Sequence, residues 1–274
     1  MIDIIELRDK YIEEKFTLAD ANAKVAQDLL LLKISKIKFS NNITIKGGVV
    51  MQSLSNDYRR ATRDIDLDFI KYSLEDDSIR KFIDRLNTVN DGIKITITEE
   101  IEPLNHQDYK GKRVLIELKD SNGNKITTKL DLGVHKDYEI IQEEYWFNFN
   151  NLGESAKLLI NSKEQIFVEK LKSLMKQDFL STRYKDVFDF YYLINMTDIN
   201  KDKLLKYIEI YIFKDKKMKE TTVLDIYNKL NSILNNEIFA RNLSRLKNNW
   251  LEFPAKEVIK NILEFFETLE TVNI

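Results

Sequence analysis

Lys46-Gly47-Gly48 and, a short segment later, Arg63-Asp64-Ile65-Asp66-Leu67-Asp68-Phe69 set a bare turn ahead of three carboxylates. The acids alternate with Ile65, Leu67 and Phe69, which is the period of a β-strand, so the acids share one face and the apolar residues the other. Alternate acids then lie roughly 7 Å apart along the strand. Aspartate is depleted in strands and like charges on one sheet face repel. A bound divalent cation reverses that penalty, since a hard ion such as Mg²⁺ takes carboxylate oxygens together with phosphate oxygens of a substrate. Without a cation the pattern reads as a solvated edge strand with an acidic face.

The glycines bear on that choice. Only seven occur in 274 residues, against an average usage of roughly 7%, yet two are adjacent and just upstream of the acids. A Gly-Gly pair after the β-like run Ile43-Thr44-Ile45-Lys46 lets the backbone approach a ligand and aim amide N–H groups at an anion. A tight turn with no ligand is the plainer reading.

Hydrophobic residues at 43% and charged residues at 32% describe a globular chain long enough for one large domain or two smaller ones. The absence of cysteine excludes disulfides and thiolate metal sites. A formal net charge of −2 argues against a surface that is basic throughout, although Lys214, Lys216, Lys217 and Lys219 form a local run that is either a solvated face or a phosphate contact. No signal peptide and no apolar run of bilayer length is recognisable, so the expected location is the cytoplasm, with no membrane partner.

Apolar positions at helical spacing predict one or two helices over residues 3–35. Short alternating runs then predict strands over 43–46, 64–70, 93–98, 114–118 and 125–132, with a helix over 74–89. Ser121-Asn122-Gly123-Asn124 is a turn signal that makes the last two strands a hairpin, and there Asp131 lies opposite the face carrying Leu130 and Leu132. From Ser162, an N-cap with Gln165 in capping-box spacing, the chain reads helical, with further helices over 183–196, 204–213, 223–234, 238–250 and 255–269. Lys170 falls at the margin of the buried stripe of its helix, the usual place of a snorkelling lysine, and Arg183 can pair with Asp186 one turn on. The expected fold is therefore α+β: a mixed sheet with flanking helices over residues 1–155 and a helical bundle over 156–274, with a cleft between such halves as the ligand site.

Taken in order, Lys46-Gly47-Gly48, Arg60-Ala61-Thr62-Arg63-Asp64-Ile65-Asp66-Leu67-Asp68, Glu169-Lys170-Leu171 and the run from Arg183 to Tyr191 resemble the AbiEii/AbiGii toxin family. Those proteins are DNA polymerase β-like nucleotidyltransferases, toxins of type IV toxin–antitoxin and abortive-infection systems, and related members add nucleotides to tRNA. The resemblance implies that Gly47 and Gly48 hold a nucleoside triphosphate, with Arg60 and Thr62 beside it, and that Asp64 and Asp66 bind Mg²⁺ or Mn²⁺. It further implies that Lys170 contacts a phosphate, that Asp186 belongs to the active site, and that Asp131 is a third metal-binding carboxylate. An NTP, an RNA acceptor such as tRNA and a cognate antitoxin are the implied partners. The family often has Ser as the second residue of the glycine pair, whereas Gly48 leaves only backbone donors. The Asp-Ile-Asp-Leu pattern favours Asp64 with Asp66 over Asp66 with Asp68 as the metal pair, leaving Asp68 as structural support. A non-catalytic nucleotide- or RNA-binding module and a two-metal nuclease are the alternatives; His106 and His135 lie in no triad-like pattern and read as incidental.

Overall fold

The computed structural model describes residues 2–104, 111–136 and 139–270, so His106 lies outside the described residues. The chain divides into two compact units, Met1–Asn161 and Ser162–Ile274.

In the first unit, α1 (Ile4–Glu13) and α2 (Leu18–Lys36) precede β1 (Ile43–Ile45), α3 (Gly47–Ser55), β2 (Ile65–Ile70) and α4 (Asp76–Leu86). Then follow β3 (Lys94–Ile97), β4 (Glu102–Leu104), β5 (Gly111–Lys119), β6 (Lys125–His135), β7 (Glu143–Phe149) and β8 (Glu154–Ile160). They form one mixed sheet in the order β3-β5-β6-β2-β1-β8-β7, with β4 paired to β5. β2 lies between antiparallel β1 and parallel β6. Ile65, Leu67 and Phe69 are fully buried, as the alternation predicts, and this apolar face keeps the register fixed.

Each helix and strand expected in this unit is present, but α3, β4, β7 and β8 were not anticipated. Residue 155 falls inside β8, whose pairing of Thr44 with Leu159 and Ile45 with Ile160 carries the sheet beyond the expected boundary. The division therefore comes after Asn161.

The expected hairpin forms between β5 and β6. Its turn is held by Asp120, which accepts from Asn122 N, Asn124 N and Asn124 Nδ2 at 2.9 Å each and from Ile4 N, at the start of α1, at 3.0 Å. One buried carboxylate thus ties the hairpin to the first helix.

The second unit comprises α5 (Lys163–Gln177), α6 (Tyr184–Met196), α7 (Lys201–Ile208) running into a π-helical turn (Glu209–Phe213), α8 (Val223–Leu234), α9 (Glu237–Leu243) and α10 (Ala255–Glu270). Phe167, Phe188, Phe190, Phe239 and Phe266 are buried in it. Ser162 caps α5 by accepting from Gln165 N at 3.3 Å, but the Gln165 side chain turns away to Glu169 and Tyr211, each at 3.0 Å, rather than completing a capping box. α9 ends well short of residue 250 because Ser244-Arg245-Leu246-Lys247-Asn248-Asn249 offers no apolar stripe, its single leucine being 86% exposed. Among the described residues no helix is long and apolar enough to cross a membrane.

Burial pushes the Asp120 carboxyl up, but the N–H donors of Ile4, Asn124 and Asn122 outweigh it and hold the group below its ordinary value of 3.8. A carboxyl depressed on folding stabilises the fold above that value and loses its effect as pH falls through the folded-state value. Asp120→Ala is expected to destabilise the protein by on the order of 2 kcal/mol at neutral pH. In thermal melts the gap between wild type and variant should narrow steadily as pH is lowered below 3.8; a gap independent of pH would show that the carboxylate charge is immaterial.

Candidate active site

β1 delivers the backbone to Lys46, whose N–H donates to Asp66 O at 3.1 Å, and Gly47 then turns with φ +64° into α3. That φ is left-handed, which glycine adopts freely. Space for a side chain is also short: a Cβ at residue 47 would stand 2.5 Å from Asp66 Oδ2 and displace that carboxylate, and one at residue 48 would stand 2.7 Å from Thr62 Cβ. The turn is thus seated on the Asp66 carboxylate and on Thr62. The first amides of a helix lack intrahelical acceptors and carry the positive end of its dipole, which makes them an anion platform.

The acids take different environments. Asp64 is exposed immediately before β2, and Asp66 is half-buried at the turn. Asp68 is buried and pairs with Lys46 Nζ at 2.9 Å, which gives substance to its expected supporting role. Asp131 stands on β6 beside Asp66 in the parallel register, about 4.8 Å away by strand spacing. Both its oxygens are engaged by Arg113 on β5, from Nε at 2.8 Å and Nη2 at 2.7 Å. Hydrogen bonding to Asp131 raises the Arg113 guanidinium above its usual range against partial burial, and the charges of Asp131, Asp64 and Glu102 add to the effect.

No group of three His, Asp or Glu side chains among the described residues converges as a metal cage. Asp131, expected as a metal ligand, is paired with Arg113, because the β5–β6 register sets Arg113 opposite it. Asp64 and Asp66 nonetheless suit a hard divalent cation in kind. Both are oxygen donors, and the second touches a turn built for an anion, the combination in which Mg²⁺ is held by one or two acids plus substrate phosphates.

Of the remaining expected residues in this unit, Thr62 packs against Gly48 while its carbonyl accepts from Gln27 Nε2 at 2.7 Å. Arg60 is buried at the end of the 3₁₀ turn Tyr58–Arg60. His135 is buried, with Nε2 3.0 Å from Ile140 O and Nδ1 3.2 Å from Gln142 Nε2, both ring nitrogens being spent on the fold.

In the second unit Lys170 is buried rather than snorkelling to solvent. Its ammonium pairs with Asp186 and, at 3.0 Å, with Asp189. Arg183 reaches Asp186 at 3.4 Å, the expected one-turn pair, and Trp250 Nε1 donates to Asp189 at 3.1 Å. Arg113, and Lys46 as the partner of Asp68, were not singled out from the sequence. Arg113 could have been found by counting outward from the hairpin turn, which places it opposite Asp131.

No protein of curated description matches the chain. A solved structure described as an antigenic nucleotidyltransferase-like protein from Paracoccidioides brasiliensis is similar over 81% of this chain and 89% of that one, at 18% identity and a TM-score of 0.43. The family model for the nucleotidyl transferase AbiEii toxin of type IV toxin–antitoxin systems matches residues 29–268, most of the chain, and the protein belongs to that family.

Proposed function

We propose that the protein transfers a nucleoside monophosphate from a nucleoside triphosphate to a hydroxyl of an RNA acceptor, tRNA foremost, and that a cognate antitoxin opposes it. The observation that carries this reading is the seating of the Gly47 backbone against Asp66 Oδ2. An anion on the helix amides and a cation on the carboxylate are then neighbours, as a metal-bound triphosphate requires.

In this reading Gly47, Gly48 and the first turn of α3 bind the triphosphate through backbone N–H groups, with Thr62 and Arg60 shaping the turn from below. Asp64 and Asp66 hold Mg²⁺ or Mn²⁺. The cation supplies charge neutralisation for the departing pyrophosphate and polarisation of the α-phosphate. The acceptor oxygen bonds to the α-phosphorus, the bond from that phosphorus to the bridging oxygen breaks, and the hydroxyl proton is lost to solvent. Positioning and preorganised charge do most of the work in such a transfer. Arg113 offsets the charge of Asp131 beside Asp66 and takes one lone pair on each of its oxygens, which weakens Asp131 as a metal ligand without excluding it.

Incubation with each labelled nucleoside triphosphate, Mg²⁺ and total RNA tests the reading: label is expected in RNA of tRNA size. RNA shortening would instead identify a nuclease, and nucleotide binding without transfer a binding module. Asp66→Asn should reduce transfer by on the order of 10²-fold or more with little change in melting temperature, since it also relieves repulsion among neighbouring acids. Full activity in that variant would remove Asp66 from the site.

Lys170 needs a different substitution. Lys170→Ala would leave two buried acids without their ammonium and should cost about 3–5 kcal/mol of stability, so lost activity there would say nothing about the nucleotide. Lys170→Arg keeps the charge but not the compact ammonium geometry. It is expected to melt near wild type and to need more triphosphate for half-maximal rate. An unchanged dependence on triphosphate concentration would leave Lys170 only the task of neutralising Asp186 and Asp189.

A further inference from the structure

The face of α3 that begins at Val49 and Gln52 borders a cavity of about 270 Å³, closed by α2 on one side and β7 on another. The proposed reaction makes no use of it. Gln52 is 6% exposed and lines this cavity, yet its side-chain amide makes no hydrogen bond to any described residue. The amide carries both donors and an acceptor that the fold does not use. It is available to a ligand that brings its own donor and acceptor.

The walls restrict what that ligand is. Phe16, Tyr58, Tyr145 and Phe147 line the cavity, and they are held in place: the Tyr145 hydroxyl is tied to Ser53 O at 3.2 Å, Phe147 stands edge-on to Tyr145 at 4.9 Å, and Phe16 stands edge-on to Tyr58 at 6.3 Å. Fixed aromatic walls suit a flat ring. The charged residues at this end cancel, since Lys24 pairs with Asp28, which also accepts from Tyr11, and Asp57 pairs with Arg59. A phosphate finds no net positive charge there. The volume lies just under the roughly 300 Å³ at which pockets for drug-sized ligands begin, which suits one ring system rather than a whole nucleotide.

We propose that this cavity is a nucleobase site, distinct from the triphosphate turn, in which the Gln52 amide reads the hydrogen-bonding edge of an uncharged base stacked against the aromatic walls. Glutamine amides read base edges in this manner elsewhere, and aromatic side chains stack on any base. The base comes from a free nucleoside or from a nucleotide splayed out of an RNA. The site is also linked to the turn. Gln27, on the same wall, donates to the carbonyl of Thr62, the residue that packs on Gly48.

Saturation-transfer NMR on the full chain, without metal or triphosphate, tests this with adenosine, cytidine, guanosine and uridine and with a short single-stranded RNA. At least one nucleoside should receive saturation from wild type and equally from Asp66→Asn. Gln52→Leu, which keeps the volume and removes the amide, should weaken that binding by ~10-fold, about 1.4 kcal/mol. Tyr58→Ala, at the 40% exposed lip, should weaken it as well, and it serves if the leucine variant does not fold. RNA binding at least ~10-fold tighter than the nucleoside and equally dependent on Gln52 or Tyr58 would assign the base to an RNA; RNA binding no tighter would assign it to a free nucleoside. No saturation of any ligand, or binding indifferent to both substitutions, overturns the site. A protein that lacks transferase activity but binds nucleoside through Gln52 upholds it, and an active transferase that binds none overturns it alone.

Discussion

A side chain at residue 48 would run into Thr62 and one at residue 47 would push the Asp66 carboxylate aside, and the arrangement of the site follows from that constraint. Two demands meet at Gly47: a left-handed φ and an approach to Asp66 Oδ2 that a methyl group would block. The approach itself is set by the sheet. Because β1 runs antiparallel to β2, with Ile45 opposite Leu67, the chain leaving β1 passes directly over Asp66, and the hydrogen bond from Lys46 N to Asp66 O fixes it there. α3 must then start with its amides beside a carboxylate. An acid beside those amides stabilises the helix N-terminus in its own right, and the same carboxylate offers a cation a seat next to the anion-binding turn.

The acids around that point are sorted by how they are compensated. A buried carboxylate deprived of its partner is worse than no ion pair at all, and the two most buried acids here each have a dedicated cation: Lys46 for Asp68 and Arg113 for Asp131. Asp64, exposed, and Asp66, half-buried at the turn, occupy the side that a soluble ion can reach. Arg113 is the more consequential of the two cations. Its fork grips both oxygens of Asp131 and draws on their charge, so the strength of that grip bears directly on how well a metal can recruit this acid.

Much of this was legible in the sequence, and what was not had physical reasons. The alternation from Asp64 to Phe69 gave a strand whose apolar face is fully buried, and the Ser121–Asn124 turn gave a hairpin in the right register. The same register implies Arg113 opposite Asp131, two residues that stand the same number of steps from the turn, so that pair was available to a reader who carried the ladder to its end. β8 alternates Ala156, Leu158 and Ile160 with Ser155 and Lys157, but Leu159 interrupts the alternation and leaves a short apolar run, Leu158-Leu159-Ile160, that periodicity alone does not assign to a strand. β4 is three residues with Pro103 at the centre, too short and too proline-marked to be distinguished from a loop. The Asp68–Lys46 pair spans β1 and β2, and local periodicity says nothing about contacts between strands.

Lys170 shows where periodicity fails for a further reason. Its position at the margin of a stripe is compatible with an exposed ammonium, and only the tertiary packing of α6 against α5 supplies the acids that bury it. Asp186 and Asp189 lie one turn apart on one face of α6, so a single cation between them serves both. The consequence for chemistry is quantitative. One ammonium between two carboxylates leaves an excess of negative charge, which repels a phosphate. Arg183, reaching Asp186 at 3.4 Å, offsets part of that excess and keeps Asp186 paired with a second cation. Any role of Lys170 toward a nucleotide therefore depends on Arg183 holding Asp186 in its place.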